Sequence, residues 1–209
     1  MHKEVFQLFS KKEGAQHIAS EYALMAIEKI VKQNNIHSVF EFGIGIGTIP
    51  YLLSTLNKRI TYYGTEENEF CNSVLAENLG QSIESINYNA ISSYLNFNGE
   101  NKFDFIIIDG LFDDANFLKK IAHDNTLIFV EGDRENQREF LRKTFPKCLI
   151  NRSISLNKNS KHSPYYDVSS NHFVGGYTLF RLNPNFRNKT SWFLEKIATS
   201  LKYKLRMII

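Results

Sequence analysis

Three glycines and four polar side chains stand where chemistry could follow. Glu41 heads the stretch EFGIGIGT, in which Gly43, Gly45 and Gly47 recur at every second position behind an apolar run. A glycine turn between a strand and a helix lets a ligand approach the backbone closely, or simply connects the two elements. Three more apolar runs end on groups that accept hydrogen bonds: Glu66 in YYGTEEN, Asn89 in INYNA and Asp109 in FDFIIIDG. A carboxylate can accept from two vicinal hydroxyls at once, and an amide carbonyl accepts likewise.

The spacing of the glycines narrows the ligand. A dinucleotide site asks for GxGxxG, so that the pyrophosphate rests on the helix N-terminus. Here the pattern is GxGxG, residue 48 is Thr, and no lysine follows as it would in a phosphate-binding loop of the Walker type. The turn, led by an acid two residues earlier, resembles the first motif of the class I S-adenosylmethionine-dependent methyltransferases. Glu66, Asn89 and Asp109, in that order, resemble the acceptors that this family carries on its second, third and fourth strands. The resemblance covers about residues 36 to 135. It implies a Rossmann-like fold, S-adenosylmethionine as cofactor, and methyl transfer from a sulfonium. It also implies roles: Glu66 on the ribose hydroxyls, Asn89 at the adenine amino group in place of the usual Asp, and Asp109 at the fourth strand. Gly43, Gly45 and Gly47 would floor the cofactor. Glu41 would lie near its charged end or simply brace the turn.

For the acceptor, DGLF after the fourth strand differs from the [D/N]PP[Y/F] of enzymes that methylate amino groups of bases, and neither cysteine follows a proline. An oxygen on a small molecule, sugar or glycan is therefore expected, with no specific nucleic acid partner. The candidate bases are Asp109, Asp133 and His172. His172 flanks a long polar, aromatic loop with Lys158, Lys161, His162, Tyr165 and Tyr166, a candidate for part of the acceptor pocket. His123 falls before the fifth strand, on the wrong edge of the sheet. The family's metal-dependent members hold an acidic pair after that strand; here Glu131 and Asp133 are split by Gly132, and no metal is expected. Two other functions stay open: a partner subunit that binds the cofactor without catalysis and, less in keeping with the spacing, a nicotinamide-dependent oxidoreductase.

The elements that must position these groups follow from periodicity. A helix over 14–34 precedes a strand SVFEF, and a helix begins at Gly47 and Thr48 with Pro50 in its first turn. RITYYGT, SIESINYN, KFDFIIIDG and NTLIFVEG read as strands separated by helices, and LINRSISL and HFVGGYTLFRL as two more with no helix between them. The pattern predicts an α/β fold: a doubly wound, mostly parallel seven-stranded sheet, helices on both faces, and an antiparallel C-terminal strand pair. It forms one domain, 1–187, followed by a basic amphipathic helix over 188–209.

The 209 residues carry a net charge of +3, divided unevenly: residues 1–150 sum to −5 and 151–209 to +8. The basic part suits an anionic partner or is a solvated face. Cys71 and Cys148 show no metal or disulfide spacing. With no signal-like or membrane-spanning run, a cytoplasmic protein is expected. In the last helix Phe193, Ile197, Leu201, Leu205 and Ile208 share one face, with Lys189, Lys196, Lys202 and Arg206 largely opposite. That stripe would dock on the protein's own sheet, pair with a second copy in a homodimer, or lie on an anionic membrane surface.

Overall fold

The structure is a computed structural model that describes residues 1–56, 58–132, 134–158 and 172–208, apart from the Arg187 side chain. Seven strands form one sheet: β1 (Ser38–Phe42), β2 (Thr61–Thr65), β3 (Asn87–Ile91), β4 (Phe103–Ile108), β5 (Ala122–Glu131), β6 (Leu149–Ile154) and β7 (Gly176–Arg181). Their order is β3-β2-β1-β4-β5-β7-β6. β7 runs antiparallel to both β5 and β6, and the other neighbours pair in parallel. The predicted doubly wound sheet with its antiparallel end is thus present.

Two apolar layers explain why β1 and β4 are nearly continuous hydrophobic runs. Val39, Phe105, Ile107 and Phe129 point into one layer, with helices α1 (His2–Phe9), α2 (Glu21–Gln33) and α3 (Thr48–Ser54). Phe40, Phe42, Ile106, Ile108 and Val130 point into the other, with α5 (Ala115–Ile121) and α6 (Glu135–Thr144). The second layer is aromatic: Phe117 meets Phe40, Phe42 and Tyr94 edge-on. Between β2 and β3 runs α4 (Glu69–Leu79), started by Asn68, whose side chain accepts from the Cys71 N–H.

Three elements differ from the sequence reading. The helix expected over 14–34 begins at Glu21, because Ser20 caps it by accepting from the Ala23 N–H. Ahead of it lie Gly14 at φ 80°, a single turn over Ala15–His17 and an extended Ile18. α1 was not foreseen; its Val5 and Phe9 are buried, and Phe9 packs edge-on against Tyr51 at 5.2 Å. The third strand starts later than SIESINYN suggests, since Gly80–Ser85 winds into a 3-10 turn, and it runs on to Ile91, which leaves Asn89 in the middle of β3 rather than at its end.

The final helix, α7 (Phe186–Arg206), lies along β6, one of the two edge strands of the sheet. A sheet edge presents unpaired backbone carbonyls, so the helix face that covers it must donate hydrogen bonds. The Trp192 indole N–H donates to the Ile150 carbonyl at 2.7 Å, the Thr199 hydroxyl to the Arg152 carbonyl at 2.7 Å, and Arg206 Nε to the Ser155 carbonyl at 2.8 Å. Docking through the apolar stripe, one of the three readings open from sequence, is therefore overturned: the polar face docks and the stripe faces outward.

Candidate functional site

The site forms where β1, β2, β4 and β5 end. After Phe42 the chain turns back on β2, and the N–H groups of Gly43 and Ile44 both donate to the Thr65 carbonyl, at 2.9 and 3.1 Å. Each glycine of the loop makes room for the protein's own chain. At Gly43, φ 86°, a Cβ would strike the Asp109 carbonyl; at Gly45, φ 59°, it would strike the His17 carbonyl; Gly47, φ 100°, starts α3 against Leu75 and Leu79. The turn at Ala15–His17 therefore sits directly on the glycine loop.

Glu66, following β2, is tied to that loop. The Gly45 N–H donates to its Oε2 at 2.6 Å and the Asn68 N–H to its Oε1 at 2.8 Å. Asp109 continues β4, where its N–H donates to the Phe42 carbonyl at 2.9 Å. Arg134 Nη2 stands 3.4 Å from Asp109 Oδ1 and 3.9 Å from Glu131 Oε2. Glu131, the last residue of β5, also accepts from the Ser20 hydroxyl at 2.8 Å. Together Gly43, Gly45, Glu66, Asp109, Glu131 and Arg134 line a cleft of about 350 Å³, with Gln16, His17, Ile18 and Cys71 on its other walls.

Three carboxylates face one guanidinium in this cleft, so its lining favours a cation. Burial pushes Asp109 up to about 7, with repulsion from Glu131 and Glu66 adding and Arg134 opposing. Burial also raises Glu131, against the Ser20 hydrogen bonds and Arg134. An acid poised near neutrality is suited to proton transfer.

Of the residues singled out by sequence, Gly43, Gly45, Glu66, Asp109 and Glu131 come together in the cleft. Glu41 does not line it. Its carboxyl is fully buried, Tyr62 donates to Oε2 at 2.6 Å, and burial holds its pKa well above the usual carboxylate range. Among the described residues Oε1 has no hydrogen-bond partner, and neither has the nearby hydroxyl of Tyr88, whose ring stacks on Tyr62 at 5.3 Å. Asn89 is also outside the lining; its amide donates within the sheet to the carbonyls of Tyr62 and Asn87, both at 3.2 Å.

His172 is exposed, just before a bridge that pairs Lys158 with Phe173. Ile154 pairs with Gly176, and Tyr177 with Glu131, so the long loop leaves and returns at the cleft's edge of the sheet. Asp133, Lys161, His162, Tyr165 and Tyr166 lie outside the described residues. His123 lines a larger cavity, about 650 Å³, at the opposite edge with Lys102 and Lys147. Among the described residues, no group of His, Cys, Asp and Glu side chains is placed to hold a metal ion.

Sequence reasoning missed Gln16, His17, Ile18, Ser20 and Arg134 as parts of the site. The N-terminal segment gave no local signal, because it reaches the loop only through the tertiary fold. Arg134 was legible only as a residue next to α6.

No family model and no curated protein matches the chain. Solved structures do. An O-methyltransferase of Bacillus cereus, in complex with S-adenosylhomocysteine, superposes with a TM-score of 0.59 at 14% identity, covering 86% of this chain and 90% of that one. The O-methyltransferase TomG of Streptomyces achromogenes, involved in tomaymycin synthesis and solved with S-adenosylmethionine, gives 0.57 at 10%, over 88% and 89%. A precorrin-6y C5,15-methyltransferase of Geobacter metallireducens gives 0.61 at 12%, over 80% and 91%. With its strand order and glycine turn, the chain has the fold of the class I S-adenosylmethionine-dependent methyltransferases.

Proposed function

We propose that this protein transfers a methyl group from S-adenosylmethionine to a hydroxyl of a small molecule or sugar. The observation that carries the reading is the grouping of Glu66, Asp109 and Glu131 around a glycine turn at the carboxyl edge of the sheet. This set of acceptors fits the cofactor, which presents two ribose hydroxyls, a sulfonium and an ammonium group. Two of the four acceptor positions on the Glu66 carboxylate are taken by backbone donors, which leaves two for the ribose. Asp109 and Glu131 supply negative charge for the cationic end.

The bound cofactor would supply an already electrophilic methyl group, so the protein's task is chiefly to align and to exclude water. Asp109, raised to about 7, would accept the hydroxyl proton at its carboxylate. The His17 turn, seated over Gly45, closes one side of the cleft.

The reading is tested by following S-adenosylhomocysteine release with panels of phenols, sugars and amines. Turnover on hydroxyl acceptors that falls at least tenfold in Asp109→Asn supports it. Turnover on amines alone, or unchanged turnover in that variant, overturns the acceptor or the base.

A further inference from the structure

α7 turns its polar side to the protein and its apolar side to solvent. Trp192, Thr199, Lys202 and Arg206 recur at helical spacing, and each donates a hydrogen bond to β6, its flanking segment or Tyr22. On the opposite side Phe193, Leu194, Ile197, Leu201 and Leu205 form a stripe whose members are 43 to 65% exposed, prolonged by Ile208. A stripe of this length on a helix that is already docked has no role in the core, and exposed apolar patches of this kind mark interaction surfaces.

The charges beside the stripe select the partner. Lys189, Lys196 and Lys204 are all exposed on the helix. Its one acid, Glu195, is turned toward the sheet, where it accepts from the Asn151 amide. A second copy packed on the same stripe would bring lysines against lysines with no acid to offset them. Lysines flanking an apolar face instead suit a surface of anionic lipid, where their ammonium groups reach the headgroups while the stripe enters the acyl boundary. Among the described residues no helix is long and apolar enough to cross a membrane, so contact would be made in the plane of the interface. α7 ends beside Ser155, Gly175 and Tyr22, at the sheet edge that carries the cleft.

We propose that α7 lays the Phe193–Leu205 stripe on an anionic lipid surface. The test is co-sedimentation of the full chain with phosphatidylglycerol–phosphatidylcholine vesicles and with pure phosphatidylcholine vesicles, at low and high salt. The expected result is binding to the anionic vesicles that is at least tenfold weaker on the neutral ones and falls as salt rises. An Ile197→Ser, Leu201→Ser variant should lose that binding at least tenfold with its melting temperature unchanged, because both residues are exposed. A Lys189→Gln, Lys196→Gln, Lys204→Gln variant should lose more than tenfold, each lysine near an anionic leaflet being worth about fivefold. Absence of binding to anionic vesicles overturns the proposal. So does a dimer in sedimentation velocity that the serine variant dissolves while vesicles leave it intact, which assigns the stripe to a second copy.

Discussion

The backbone N–H of Gly45 donates to the Glu66 carboxylate at 2.6 Å, joining the glycine turn after β1 to the residue that follows β2. With the Asn68 N–H on its other oxygen, Glu66 is fixed before any ligand arrives. Under the proposed function, Glu66→Ala should weaken S-adenosylhomocysteine binding by about 1–3 kcal/mol, the worth of hydrogen bonds to a charged group. Calorimetry at constant pH reads this directly, and unchanged affinity removes Glu66 from the ribose.

Asp109 ties binding to pH. Its pKa of about 7 in the folded chain lies above the ordinary aspartate value of about 3.9. Between those values the folded state holds the proton more tightly than the unfolded state, so this group's contribution to stability falls as pH rises from about 4 to 7. Asp109→Asn should therefore gain melting temperature relative to the parent at pH 8 and show little difference at pH 4. Affinity for cationic S-adenosylmethionine should rise through pH 7 in the parent and stay flatter in the variant. The step belongs jointly to Asp109 and Glu131, which repel one another.

Gly45 and Gly110 offer a matched pair. At Gly45 a Cβ meets the His17 carbonyl and the backbone has φ 59°, whereas at Gly110 nothing lies within 4 Å. Gly45→Ala should cost roughly 1–3 kcal/mol in urea unfolding, from strained backbone and a displaced N-terminal turn. Gly110→Ala should stay within about 0.5 kcal/mol. Equal effects would mean that the His17 turn does not rest on the loop.

Glu41 and Tyr62 make a buried pair in which the acid is held well above its ordinary pKa. Glu41→Gln keeps the shape and removes the need to bury a charge, so stability at pH 8 should hold or rise. Tyr62→Phe strips a buried carboxyl of its donor and should cost about 1–3 kcal/mol. Denaturant titrations of both variants at pH 8 check the order, and a larger loss in Glu41→Gln would reverse the assignment.

Local pattern carried the strands well. The apolar runs of β1 and β4, the glycines and the acids at Glu66 and Asp109 are short-range signals, and the sheet brings them to one edge. Glu41 was not legible, because the same acid can face a ligand or a tyrosine, and only the register of β1 on β2 brings Tyr62 to it. Asn89 was misplaced because β3 runs two residues past it, to Ile91, pairing with β2 through Thr65. The docked face of α7 was not legible for a different reason: an amphipathic helix usually buries its apolar stripe, but a sheet edge needs hydrogen-bond donors, and only the strand order shows that β6 is an edge.

The central claim is that this cleft takes a sulfonium nucleoside. Isothermal titration of the full chain with S-adenosylmethionine, S-adenosylhomocysteine and NAD tests it most directly. The account predicts saturable binding of both sulfur nucleosides, weakened in Glu66→Ala, and none of NAD. Absence of binding of either sulfur nucleoside at millimolar concentration, or binding of NAD in their place, would contradict it.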